Sequence, residues 1–574
     1  MRTGFALLAL SLATVARTEP VPPEAAASVP ASPGAGCPQQ QPEPARRRPG
    51  EPAPETPAAP ECDLSRLPPA GQPPPPEAVD RWRVIDSLGY PDNWRNPYAT
   101  NNPLKGDRPL DGRARFFSVT ASSASLVESR RVATEGAAPG AGAESATGVQ
   151  QLFTSETVSV DTVLYSGDTI FRPPDYQLRI TPIFNYSNTR TSGTDAGAST
   201  MGAQALFFEK HLRDASANYD FDSVRIGIQP LISDFRGFVL SDQPVGVRLF
   251  GTRGNNVYQY NLGWFRLLPK NANRQNQLGH GILDDDLVLA NLYVQDLWRP
   301  GLTSEFVALY DRSHVPASQA LSAPEPGTPA TFVNAAAHNY HVVYLGYGVD
   351  GHLGRVNLTA LAYGVFGREQ GGTFGAADAR VSAGFAAFEL SRDYDWTRVR
   401  LSGLYASGDG SPFDDHARGF DGVSQSALFA GADATFFIHQ RLPLVAGQID
   451  LKVRDGLFPS LHSSANPWQS NYVNPGLRLA GLGADFDLAP VLRVSLDANY
   501  LWFDQTAPLA AIVGNPALSR DLGTDLALDV LYRPLNSQNV IVRLAAAKLF
   551  ATTAARQLVG SAPFSAFATL VLTY

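Results

Sequence analysis

Residues Val491–Phe503, VLRVSLDANYLWF, decide the fold. Leu492, Val494, Leu496, Ala498, Tyr500 and Trp502 occupy alternate positions, with Arg493, Ser495, Asp497 and Asn499 between them. Successive side chains of a strand point to opposite sides, so a period of two makes one face oily and the other wet.

The pattern recurs along the chain. In YQLRITPIFNY (176–186) the apolar set is Tyr176, Leu178, Ile180, Pro182, Phe184 and Tyr186, against Gln177, Arg179, Thr181 and Asn185. RVNLTALAYGVF (355–366) sets Val356, Leu358, Ala360, Ala362 and Phe366 against Arg355, Asn357 and Thr359, and TDLALDVLY (524–532) sets Leu526, Leu528, Val530 and Tyr532 against Asp525 and Asp529. A soluble antiparallel sandwich also alternates. Two features favour a transmembrane antiparallel β-barrel instead. Aromatic residues gather at strand ends on the apolar face (Tyr176, Tyr186, Tyr500, Trp502, Tyr532, Tyr574), where an interfacial girdle belongs. Connections are also alternately tight and long. Tight ones are expected near 300–301, 350–351, 393–395, 489–490 and 534–537. Long ones are expected over 188–202, 268–285, 312–338, 408–428, 456–474, 504–520 and 551–564.

The ending SAFATLVLTY (565–574) fits this reading. Ala566, Ala568, Leu570, Leu572 and Tyr574 occupy alternate positions, with Ser565, Thr569 and Thr573 on the opposite parity, and a closed barrel has no free edge, so its last strand pairs with its first. Alternating the turns back from Tyr574 gives about eighteen strands beginning near Tyr176, with two further candidates at 114–128 and 152–171. The expected total is therefore about 18, within 16–20, and such a barrel leaves an aqueous lumen.

Composition agrees with an all-β chain. Among 574 residues there are 50 Gly, 30 Phe and 20 Tyr but only 2 Met, and charged residues make up 17%. A net charge of −8 argues against a nucleic-acid partner, which demands an excess of basic groups. Beyond the N-terminus no run of about 18 apolar residues appears, which excludes transmembrane helices. Residues 1–16 read as a secretory signal with a basic start at Arg2 and a short apolar run. In Thr18–Asp80, 19 of 63 residues are proline, too many for a packed core, so 17–80 is expected to be a disordered periplasmic tether. Cys37 and Cys62 both lie in that segment, where they build no metal site. Residues 81–112 form a lead-in or plug segment, and 113–574 the barrel.

Strand parity places Arg179, Arg225, Arg248, Arg355, Arg398, Arg400, Arg493 and Arg543 on the wet face, with Asp497, Asp525 and Asp529 as counter-charges. Arginine is a permanent, forked cation, and rings of it favour anions in pores. The expected function is passive passage of an anionic solute across the outer membrane. The same arginines could instead pair with lumen acids and hold the wall together. Two other classes of function stay open: a plugged structural barrel whose tether docks another envelope component, and a barrel-embedded hydrolase. No Ser/His or Asp/His set marks the hydrolase, so the chain is read as a non-enzyme needing no cofactor. His338 and His341, three apart on a strand, point to opposite faces and make no zinc site. Asp409, Asp414, Asp415 and Asp421 do not match an EF-hand spacing and read as an ordinary acidic loop. A TonB-dependent transporter needs about 22 strands and a large plug, more chain than is left here.

The stretches 80–109, 219–251 (YDFDSVRIGIQPLISDFRGFVLSDQPVGVRLFG), 404–422 (LYASGDGSPFDDHARGFDG) and 472–490 resemble those of a proteobacterial family of outer-membrane barrels without assigned function. More distantly, the strand count, the ASGDG loop and the arginine-bearing lumen are similar to alginate-export porins, which implies an acidic polysaccharide as solute. The final strand, with Leu570, Leu572 and Tyr574, resembles the C-terminal signal read by the barrel-assembly machinery, although Phe is its usual last residue. The implied partners are that machinery and outer-membrane lipid.

Overall fold

The computed structural model describes residues 102, 104–110, 115–132, 149–167, 173–192, 195–216, 220–270, 275–279, 281–314, 339–370, 374, 378–439, 470–513, 516–552, 556 and 563–574. The signal, the tether, Cys37, Cys62 and His338 lie outside them.

Eighteen antiparallel strands form one closed wall. They are β1 Arg115–Val132, β2 Val149–Ser166, β3 Tyr176–Arg190, β4 Asp195–Asp214, β5 Phe221–Ile228, β6 Val245–Arg253, β7 Tyr258–Arg266, β8 Asp285–Gln295 and β9 Leu302–Ser313. The second half comprises β10 Asn339–Leu353, β11 Val356–Gln370, β12 Asp378–Tyr394, β13 Thr397–Ala406, β14 Leu477–Ala489, β15 Leu492–Trp502, β16 Asp521–Tyr532, β17 Val540–Ala551 and β18 Phe564–Thr573. Each pairs with its sequence neighbour, and β1 closes on β18 with Ser122 opposite Thr573 and Arg131 opposite Phe564.

The side of the wall that carries the oil separates barrel from sandwich. On β3 the outward Leu178, Ile180, Phe184 and Tyr186 are exposed, as are Leu496 and Tyr500 on β15 and Leu526 and Leu528 on β16. Their neighbours of opposite parity, Asn185, Asp497, Asn499 and Asp525, are buried. A surface this apolar suits lipid rather than water. The wall is therefore transmembrane.

Several details differ from the sequence reading. The stretches near 114–128 and 152–171 are wall strands, β1 and β2, so only sixteen strands follow from Tyr176 onward. Residues 350–351 lie inside β10, and the turn falls at Gly354 and Arg355. Most of 188–202 belongs to β3 and β4, which are joined by residues 191–194 alone. The two long loops expected at 408–428 and 456–474 are parts of one connection, 407–476. At 188–202 and 350–351 a run rich in Gly, Ala or polar residues that reads as a loop or turn belongs to a strand, because wall pairing overrides local composition.

A short lead strand, Lys105–Pro109, precedes the wall and pairs with the lower edge of β1, with Lys105 opposite Ser118. Beside it the pairing of β18 with β1 reaches Ala121, whose carbonyl accepts from the Tyr574 N–H (2.8 Å). Lead strand and last strand thus share one edge, end to end.

Candidate lumen constriction

Two connections at the long-loop end fold into the bore. The first, 229–244, is organised by Asp234. Its carboxylate accepts hydrogen bonds from the backbone N–H groups of Arg236 (3.0 Å), Gly237 (2.7 Å), Phe238 (3.1 Å) and Val239 (3.2 Å), and from the Tyr363 hydroxyl (3.2 Å). One carboxylate satisfying four orphan donors makes a tight turn. That turn aims Arg236 across the lumen: its guanidinium donates to Thr359 Oγ1 (2.6 Å) and the Leu428 carbonyl (3.3 Å) and lies 3.6 Å from Glu389.

The second, within 407–476, crosses to the opposite wall. Asn499 donates to the Ala430 carbonyl (2.9 Å), Asp525 accepts from the Phe437 N–H (2.9 Å), and His439 Nε2 lies 3.1 Å from Glu128 of β1. The two loops bind each other where Gln425 donates to the Phe238 carbonyl (2.8 Å). Ala430, Gly431 and Ala432 are all left-handed, at φ of 48°, 92° and 50°. Such backbone is strained for alanine and survives only where its surroundings hold it. At Gly431 an added Cβ would fall 2.7 Å from the Asp497 carboxyl carbon, so only glycine fits.

The loops bury apolar side chains against the inward face of β7 to β17. Phe238, Leu240, Phe420, Phe429, Phe436 and Phe437 are almost fully buried, with Leu309, Tyr344, Tyr363, Val365 and Leu501 of the wall around them. Near the long-loop end, therefore, the inward face is oily as well. Strand parity alone misses this, although runs apolar on both faces, such as YHVVYLGY in β10, signal it.

Beneath that filling lies a polar cavity of about 230 Å³ whose charged lining is Arg236, Arg400, Arg543, Glu389, Asp497 and Asp529. Arg400 lies 2.9 Å from Asp497 and 3.1 Å from Asp485. Arg543 lies 2.9 Å from both Asp433 and Asp529, and its guanidinium stacks on Phe567. Of the residues selected by parity, four meet here: Arg400, Arg543, Asp497 and Asp529. Sequence reasoning passed over Glu389, although it lies on β12, where the inward parity of its strand marks it, and Arg236, which sits in a loop and has no parity to read. Yet the DFRG turn in 219–251 carried the signal.

The other selected charged residues sit elsewhere, Arg355 in the turn between β10 and β11 and the rest on the inward parity. Arg179 donates to Asp161 (2.7 and 2.9 Å), and Arg225 is bonded to Glu209 and stacks on Phe207. Arg248 donates to Asn261, which donates to Asn291 (2.8 Å), which donates to Glu305 (3.3 Å), which accepts from the Phe235 N–H (3.2 Å). That chain ties wall to loop. Arg355, Arg398 and Arg493 lie at the short-turn rim, the last two paired with Asp393 and Asp487. Asp525 is fully buried as an anchor of the second loop. Leu570 and Leu572 face outward and are exposed.

The carboxylates of 404–422 serve their own loop. Asp409 accepts from the Ser411 and Arg418 N–H groups (2.8 and 3.3 Å), Asp414 pairs with Arg418 (3.0 Å), and Asp421 accepts from the Asn471 N–H (3.0 Å). Burial raises the Asp409 carboxyl above the ordinary range against the pull of those N–H groups. Among the described residues no three His, Cys, Asp or Glu side chains gather as a metal site.

No family model matches this chain, and no curated protein matches it. Solved barrels are similar in outline. They include OccAB4 of Acinetobacter baumannii (12% identity, TM-score 0.43, covering 80% of this chain and 98% of that one) and a BenF-like porin of Pseudomonas fluorescens Pf-5 (11%, 0.43, 81% and 99%). OccK7 (OpdD) of Pseudomonas aeruginosa is a third (11%, 0.42, 80% and 99%).

Proposed function

We propose that this protein is an outer-membrane channel for passive passage of a small solute, with a preference for anions. The observation that supports it is the charged cavity around Arg236, Arg400 and Arg543, set inside a barrel whose outer face is apolar. Side chains at a narrow point dominate selectivity, because a low-dielectric wall strengthens their field on a passing ion. Every arginine there has a carboxylate within 4 Å, so the acids temper the preference. The bore is narrowed by loops, which favours a small solute over the acidic polysaccharide implied by the likeness to alginate exporters.

Purified protein in planar bilayers tests this reading: ohmic, anion-selective current is expected, and a cation-selective current overturns it. The apolar filling of the loops favours one second reading, a plugged barrel docking another envelope component. Silent bilayers that conduct only once the inward loops 229–244 and 407–476 are shortened would favour that reading. Localisation in the outer membrane, with the tether in the periplasm and the tight turns facing it, belongs to the same proposal.

A further inference from the structure

The outer wall carries a row of three arginines and a histidine at the long-loop end. Arg312 of β9 stands opposite His341 of β10, His341 opposite Arg368 of β11, and Arg368 opposite Arg380 of β12. All four are exposed and share parity with the lipid-facing side chains Phe306, Leu345 and Phe366. Neighbouring strands are about 4.8 Å apart, so the row spans about 14 Å. Its acids are few. Asp286 lies 3.3 Å from Arg312 but is already held by Arg266 at 2.8 Å, and Asp378 pairs with Arg368. Among the described residues the side chains of His341 and Arg380 make no hydrogen bond or ion pair.

Four residues down the same strands, about 13 Å at the rise of a strand, the lipid-facing surface is hollow. The hollow measures about 880 Å³, floored by Ala308, Gly364 and Ala362 and walled by Leu262, Phe306 and Leu345. Small side chains beside large ones make the depression. Tyr310, Val343 and Phe366 form the rung between hollow and row.

We infer that this face binds one phosphorylated glycolipid of the outer leaflet, its phosphates on the row and its acyl chains in the hollow. Arginine forks suit phosphate oxygens, and cations spread over three strand spacings suit two phosphates better than one. The row lies at the end with the long loops, the outer side in a barrel of this kind. The inference rests on the proposed outer-membrane placement but not on conductance.

The test uses the full chain in detergent, with native mass spectrometry of retained bis-phosphorylated lipid A. One retained lipid per barrel is expected. Arg312→Ala/Arg368→Ala/Arg380→Ala together should weaken retention at least tenfold, and so should removing the phosphates from the lipid, a change that leaves the protein untouched. Ala308→Trp, which fills the hollow, should release it too. Unchanged heat-modifiable gel mobility of each variant verifies the fold. Equal retention by the triple variant, equal retention of phosphatidylglycerol, or a chain dimer cross-linked through Leu345→Cys overturns the inference.

Discussion

The Lys105 ammonium lies 2.5 Å from the main-chain oxygen of Tyr574, 469 residues later in the chain, and 4.4 Å from the centre of its ring. Lys105 also donates to the Val119 carbonyl (2.8 Å), and Asn102, fully buried, donates to the Tyr574 hydroxyl (3.4 Å). The lead strand thus clasps the seam where β1 meets β18. An edge left open there would expose unpaired backbone groups.

Lys105→Ala is expected to weaken the clasp by about 1.5–3 kcal/mol, the range for a hydrogen bond to a charged group. The measurement is the temperature at which the barrel unfolds on SDS gels, which should fall by several degrees. Lys105→Arg should restore part of it. An unchanged temperature in Lys105→Ala would show that the contact contributes nothing.

Tyr574→Phe keeps the ring and the main-chain oxygen that Lys105 holds, so outer-membrane yield should stay near that of the natural chain. Tyr574→Ala should lower it several-fold if the last strand is read during assembly. Quantified folded protein in isolated outer membranes decides between them.

Arg543→Ala leaves Asp433 and Asp529 without their cation and removes one of the three positive charges of the cavity. Selectivity should shift toward cations, seen as a displaced reversal potential in a salt gradient. Arg493→Ala, at the rim and paired with Asp487, should shift it far less.

Asp234→Ala removes the acceptor of four backbone N–H groups in the first inward loop. Each unmet buried donor costs about 1–3 kcal/mol, more than a short loop can bear, so the turn should open and release Arg236. Single-channel current is expected to rise and become noisier. A conductance trace identical to the natural protein's would place the narrow point elsewhere.

Gly431→Val should displace the second loop from Asp497, because the backbone is left-handed and the space is taken. Altered solute-dependent block of the current, with an unchanged unfolding temperature of the wall, is the expected signature.

What the sequence determined by itself was the wall. Period-two alternation in β3, β11, β15 and β16 fixes which side chains meet lipid, because a strand has only two faces and one surrounding is oil. Arg179, Arg400 and Asp497 could be assigned to the inner side for the same reason. Only the tertiary structure decided what fills the bore. Arg236, Glu389 and Gly431 come together because two loops far apart in sequence fold inward onto each other and onto opposite sides of the wall, and no local period records a contact of that kind. The oily inner residues Tyr344, Tyr363 and Leu501 face those loops, so they appear in the sequence only as breaks in the alternation, as in YHVVYLGY, which do not record what covers them.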